Sequence, residues 1–255
     1  MLWYKESGDK AHKKIIFLHG LLASAQNWQV VSKRLSNEYH TFCLDLPNHG
    51  HSMHSEASDY EFMLDELVKF IELKKIEKFH LVGHSLGGKL AMLYALKFPE
   101  KIEGLVIEDI APKAYPMKYL PLMQVMDNLK LSQYTKRLEI DRVLEEHIPD
   151  KAVRLFLLTN LEKKGERYEW RVNLKSLIAN AENLMSFPIN QSEYEKPTLF
   201  LCGSESDYVP KKDKTIIMKY FPDCEIYYIE GASHWLHAEK PDVFSIYLKS
   251  YFEKL

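Results

Sequence analysis

Six short apolar runs, spaced by helix-length amphipathic stretches, constrain this chain more than anything else in it. They are Ile15 to Leu18, Thr41 to Leu46, Phe79 to Val82, Leu105 to Ile107, Thr198 to Cys202 and Glu225 to Ile229. Most are apolar at every position rather than at every second one, the pattern of strands buried on both faces of a parallel sheet. Strand and helix in alternation predict an α/β sandwich with right-handed crossovers. At 255 residues the chain can bury a large core without disulfides or a metal, in one large domain or two small ones.

The helices between the runs are readable. Tyr60, Met63, Leu64, Leu67, Val68 and Ile71 make one apolar stripe, with Ser58 and Asp59 before it as N-cap candidates. Leu86 to Phe98 is apolar nearly all round, contains Gly87 and Gly88 and stops before Pro99, which predicts a helix buried against the sheet. A last helix is expected from Asp242 to Phe252. The rhythm breaks once. Between Asp109 and Pro197 no parallel strand is clear, and helical patterns cover Leu120 to Tyr134, Asp141 to Ile148, Lys151 to Lys164 and Leu174 to Met185. This predicts a helical cap at 113–190, over the carboxyl edge of a sheet-based core formed by 1–112 and 191–255.

Composition excludes more than it assigns. The chain has 34 Lys+Arg against 36 Asp+Glu, a formal charge of −2, unlike a nucleic-acid binder with a strong basic field. Cys43, Cys202 and Cys224 form no CxxC pair, so neither a disulfide framework nor a zinc site is expected. No apolar run approaches the roughly 18 residues of a membrane helix. The N-terminal stretch MLWYKESGDKAHKK lacks the apolar core of a signal peptide. The expectation is a cytoplasmic protein without stable membrane insertion, a monomer by default.

Chemistry concentrates at Gly83-His84-Ser85-Leu86-Gly87, a G-x-S-x-G pattern between an expected strand and an expected helix. A sharp strand-to-helix elbow needs small residues two positions either side of its tip, and it presents Ser85 at the positive end of the helix. A nucleophilic serine needs a base, and His234, in Gly231-Ala232-Ser233-His234-Trp235 after the last strand, is the candidate. His237 would orient that loop. Donors for an oxyanion are the N–H groups of Leu21, after His19-Gly20, and Leu86. His49, His51 and His54 read as loop residues rather than metal ligands, since no carboxylate or cysteine set accompanies them. Asp45 is expected to hold that loop, Trp28 to pack a helix on the sheet, and Trp170 and Arg171 to brace the cap. Met117, Met123, Met126 and Met185 either line an adaptable pocket or simply pack the cap.

These residues resemble the serine hydrolases of the α/β-hydrolase fold over nearly the whole chain: LHG at 18–20, DLPNHGHS at 45–52, GHSLGG at 83–88 and GASHWLHAEKP at 231–241. The likeness is to the YbfF-type esterases of bacteria and their mitochondrial relatives. Asn48-His49-Gly50, the run Ile107 to Pro112 and Glu169 to Asn173 carry that finer similarity. The resemblance implies hydrolysis of esters or thioesters, acyl-CoA among them, through an acyl-enzyme, with no cofactor or metal. A lactonase, a carbon–carbon hydrolase, a menaquinone-pathway lyase and a non-catalytic receptor remain as alternatives. Ser85 at the elbow, in place of aspartate, disfavours dehalogenase and epoxide hydrolase chemistry.

The triad acid stays open between two loops. Most of the fold places it after the penultimate strand, where this chain reads Gly203-Ser204-Glu205-Ser206-Asp207-Tyr208-Val209. There Ser206 takes the usual acid position, Asp207 falls one residue late and Glu205 one early. The YbfF-type branch instead implies Asp109, at the end of the strand after the nucleophile helix. That resemblance favours Asp109, with Asp207 as the alternative.

Overall fold

In the computed structural model, which describes residues 1–188 and 192–255, the apolar runs become strands of one sheet. The strands are β1 (Tyr4–Ser7), β2 (Lys13–Leu18), β3 (Tyr39–Leu44), β4 (Phe79–His84), β5 (Ile102–Glu108), β8 (Thr198–Gly203) and β9 (Cys224–Ile229), while β6 (Leu161–Lys164) and β7 (Arg167–Trp170) form a separate hairpin. The order across the sheet is β1-β3-β2-β4-β5-β8-β9, parallel throughout except for β1, which runs antiparallel to β3.

The helices are α1 (Gln29–Leu35), α2 (Tyr60–Leu73), α3 (Leu86–Lys97), α4 (Leu120–Asn128), α5 (Arg137–Glu145), α6 (Lys151–Leu157), α7 (Leu174–Ala179), α8 (Ala181–Met185), α9 (Lys214–Tyr220), α10 (Leu236–Glu239) and α11 (Pro241–Phe252). Strand periodicity divides the core. Ile16 and Leu18 face the side packed by α2, α3 and α9, while Ile15 and Phe17 face α1 and α11. Trp28 is buried on the second side against Phe17 and Phe244, between helix and sheet. Asp59 caps α2, accepting from the Phe62 N–H at 2.8 Å, whereas Ser58 is buried and turns to Asn48 and Ser176.

Residues between β5 and β8 interrupt the sheet as expected, but not as helices alone. The helix expected from Lys151 to Lys164 ends at Leu157, and 161–164 pairs with 167–170 across a two-residue turn in which Gly165 has φ 64°. Asn160 stops the helix: its buried amide donates to Leu22 O at 2.7 Å. The helix expected from Leu120 to Tyr134 stops at Asn128, and that expected from Leu174 to Met185 breaks at Asn180. The expected junction at 190–191 lies outside the described residues. Met123 and Met126 are core packing and Met117 is exposed. Among the described residues, no helix is long and apolar enough to cross a membrane.

Candidate active site

Parallel strands bring the loops after β2, β4, β5, β8 and β9 to one edge, and every expected site residue lies there. Ser85 stands between β4 and α3 with φ 50° and ψ −112°, a backbone conformation that an L-residue adopts only under constraint. The constraint is close packing. A Cβ at Gly83 would lie 2.3 Å from Gly87 O, and one at Gly87 would lie 2.5 Å from Leu18 O. The Ser85 N–H donates to Glu108 O at 3.1 Å, tying the elbow to the end of β5.

His234 and Asp109 meet. The His234 Nδ1–H donates to Asp109 Oδ2 at 2.7 Å, which leaves Nε2 with the free lone pair. Asp109 has φ 47° and is fully buried. Its other oxygen accepts from the Gly203 N–H at 3.0 Å, and Ser206 Oγ donates to Oδ2. Asp207 stands elsewhere: its side chain is 72% exposed and pairs with Lys118, whose hydrogen bond holds the carboxyl below its ordinary range. Tyr208, the next residue, stacks on the His234 ring at 3.6 Å between centroids and 14° between planes. Neither Ser206 nor Tyr208 carried a role in the sequence reading. Ser206 sits where most of the fold has its acid, and that coincidence was the available signal.

Ser85 and His234 line one narrow cleft together with His19, Gly20 and Leu21. Ser85, Leu21 and Leu86 also border an adjoining cavity of ≈ 240 Å³, whose walls include Tyr60, Ile110, Leu184 and Met185. Met185 is thus the one expected methionine on this cavity. His19 secures the Gly20–Leu21 turn: its Nε2 accepts from the Leu46 N–H at 2.9 Å, so its Nδ1–H donates to Gly20 O at 2.8 Å. Burial pulls His19 down to about 4, so the ring is neutral near pH 7. Lys89, also on the cavity wall, donates to Met185 O and Ser186 O at 2.8 Å each. Burial lowers it to about 7.

The loop at 45–52 behaves as its sequence suggested. Asp45 accepts from the Ala25 and His51 N–H groups at 2.7 Å each. His49, His51 and His54 diverge: His49 is buried against Pro47 O, His51 meets Trp3 and Arg171, and His54 reaches Arg171 O. Trp170 and Arg171 do brace the inserted segment, through Met126 O at 2.9 Å and Thr159 O at 2.7 Å. The grouping among the described residues that could offer three metal-ligating atoms is His84, Glu108 and His237, of which the two histidines line the cleft. There both Glu108 oxygens are engaged by the His237 Nδ1–H.

The chain is similar to known proteins over most of its length. A family model described as alpha/beta hydrolase fold matches residues 13–241. The sn-1-specific diacylglycerol lipase ABHD11 of Danio rerio is 38% identical over 235 residues, 89% of this chain and 74% of that protein. The esterase YbfF of Escherichia coli is 30% identical over 229 residues, 89% of this chain and 88% of that protein. A solved marine microorganism esterase superposes with a TM-score of 0.94 at 33% identity, covering 98% of each chain. The chain therefore belongs to the alpha/beta hydrolase fold family, in the company of its esterases and lipases.

Proposed function

We propose that this hydrolase cleaves carboxylic esters or thioesters of acyl chains through an acyl-enzyme formed on Ser85. The observation that carries the reading is the 2.7 Å His234–Asp109 hydrogen bond on the wall of the cleft that Ser85 lines. With Nδ1–H held by Asp109, Nε2 of His234 is the base that takes the Ser85 proton as Oγ attacks the carbonyl carbon. The N–H groups of Leu21 and Leu86 hold the resulting oxyanion, each worth about 2.7–4 kcal/mol in acyl transfer. The imidazolium returns its proton to the departing alcohol or thiol. Water then attacks the acyl-enzyme with the same histidine as base and releases the acid.

Asp109 keeps the imidazole in the productive tautomer and stabilises the imidazolium. Ser206 and the Gly203 N–H orient the carboxylate from behind. The ring of Tyr208 covers one face of His234, where a π-surface favours the cation. The ≈ 240 Å³ cavity receives the acyl chain, and its mostly apolar wall selects by length and shape. Relatives carry the names esterase and sn-1-specific diacylglycerol lipase, which supports acyl esters ahead of acyl-CoA thioesters as the substrates to try.

The test combines labelling with a substrate series. A fluorophosphonate should modify wild-type protein at Ser85 and leave Ser85→Ala unlabelled. The same substitution should lower kcat for p-nitrophenyl esters by about 10⁴-fold or more. Folded wild-type protein that neither labels nor turns over any p-nitrophenyl or acyl-CoA ester would remove the hydrolase reading. The ratio of kcat/KM between matched p-nitrophenyl and acyl-CoA chains decides between ester and thioester.

A further inference from the structure

Beside the proposed His234–Asp109 pair lies a second carboxylate–imidazole pair, built from Glu108 at the end of β5 and His237 in α10. Glu108 is the last residue of β5 and immediately precedes Asp109, which leaves the strand with φ 47°. Glu108 is fully buried, and Oε1 accepts from both the backbone N–H and Nδ1–H of His237, at 2.9 and 2.8 Å. Its main-chain oxygen accepts the Ser85 N–H at 3.1 Å. One residue thus holds the nucleophile's backbone with its carbonyl and the histidine loop with its side chain. A third link closes the ring: His84, next to Ser85, donates Nε2–H to His234 O at 2.8 Å and packs its ring between those of His234 and His237.

The geometry points to Glu108 as a positioning residue for hydrolysis, clamping the 234–237 segment to the nucleophile elbow through His237. Asp109 holds the ring of His234, with Tyr208 stacked on it, and just before it the loop is tied to the loop after β8 through Gly231 N–H to Ser204 Oγ at 2.9 Å and Glu205 N–H to Ala232 O at 3.0 Å. Those contacts all lie at or before the His234 ring. The Glu108 clamp three residues on holds the segment beyond it, and the His84 bond to the His234 carbonyl ties the main chain between. Misplacement of a reacting group by about 1 Å can lower a rate by some 10²-fold, so a second anchor acts on kcat rather than on substrate affinity. The inference rests on the hydrolase reading for its kinetic half and on geometry alone for its structural half.

Three variants separate position from charge and from packing. Glu108→Gln keeps an oxygen acceptor for both His237 donors at the Oε1 position but sets an amide at Oε2, 2.9 Å from Nδ1, and should lose clearly less kcat than Glu108→Leu. Glu108→Leu leaves the two His237 donors unpaired and should lower kcat by about 10²-fold with KM changed less than threefold. Glu108→Asp keeps the charge but shortens the reach, and should lose kcat by about tenfold or more, a check that stands if the leucine variant does not fold. Hydrogen exchange of 230–240 should quicken in the leucine and aspartate variants whether or not any substrate is turned over. Full kcat in the aspartate variant, or an equal loss in the glutamine and leucine variants, overturns the positioning role. Unchanged exchange in the leucine and aspartate variants overturns the clamp itself. A wild type that does not label with fluorophosphonate ends the hydrolase reading instead, and exchange then still decides the clamp.

Discussion

Two aspartates competed for one role, and their surroundings differ sharply. Asp109 is buried, accepts from Gly203 and Ser206 and touches His234, while Asp207 points to solvent and holds Lys118. Asp109→Asn should lower kcat by about 10⁴-fold, since an amide at Oδ2 would favour the wrong imidazole tautomer. Asp207→Asn should stay within about threefold, because an exposed ion pair contributes little. Steady-state kinetics on one p-nitrophenyl ester checks both, and the reverse ranking would move the acid to the β8 loop. Ser85 and His234 were legible because each sits in a local motif beside a strand end. The choice of acid was not, because it depends on which of two loops meets the histidine across the sheet edge. Ser206, Tyr208 and Glu108 were hidden for the same reason: each acts on a residue over twenty-five positions away in the chain.

Elements show the same division. Strands β2, β3, β4, β5 and β8 announce themselves because burial on both faces makes most of their positions apolar, whereas β9, an edge strand of alternating half-buried and exposed residues, shows only through its Ile-Tyr-Tyr-Ile run. β1 does not: it is an edge strand of half-exposed Tyr-Lys-Glu-Ser, and only its pairing with β3 makes it a strand. β6 falls inside the helix expected from Lys151 to Lys164, because Val153, Phe156, Leu157 and Leu161 keep a helical spacing past the point where Asn160 turns away. Asn48 and Asn173, both flagged by family likeness, prove to touch. Asn173 Nδ2–H donates to Asn48 Oδ1 at 2.9 Å and the Asn173 N–H to Asn48 O at 2.9 Å, joining the loop after β3 to the start of α7. Asn48 also donates to Ala57 O and Ser58 Oγ. Asn48→Ala and Asn173→Ala should each destabilise by about 1–3 kcal/mol, since buried partners are left unpaired. A double-mutant cycle in urea should give a coupling of about 0.5 kcal/mol or more, and strict additivity would mean that the two residues act independently.

At the scale of the whole molecule, the balanced charge hides a buried lysine, Lys89, at the junction of sheet core and inserted segment. Lys89 lies one turn into α3 from Ser85, and among the described residues its ammonium meets the carbonyls of Met185 and Ser186 and the face of Tyr115. With those contacts and no carboxylate, burial brings the amine to about 7, against about 10.4 for an unfolded lysine. The sign of the linkage follows. Between pH 7 and 10 the unfolded chain holds a proton there that the folded chain has released, so stability rises with pH across this window. Below pH 7 both forms are protonated and the folded state bears the full cost of the buried charge. Lys89→Met removes the titration, along with two hydrogen bonds that pin the end of α8. The difference in unfolding free energy, wild type minus variant, should therefore grow from pH 7 to pH 10 by at most about 1.4 kcal/mol per pH unit. Urea unfolding of both proteins at pH 6.5, 8 and 9.5 measures it. A flat difference would mean that the folded protein keeps Lys89 protonated through this range, and the inserted segment would then be held to the core by a permanent charge rather than by a neutral amine.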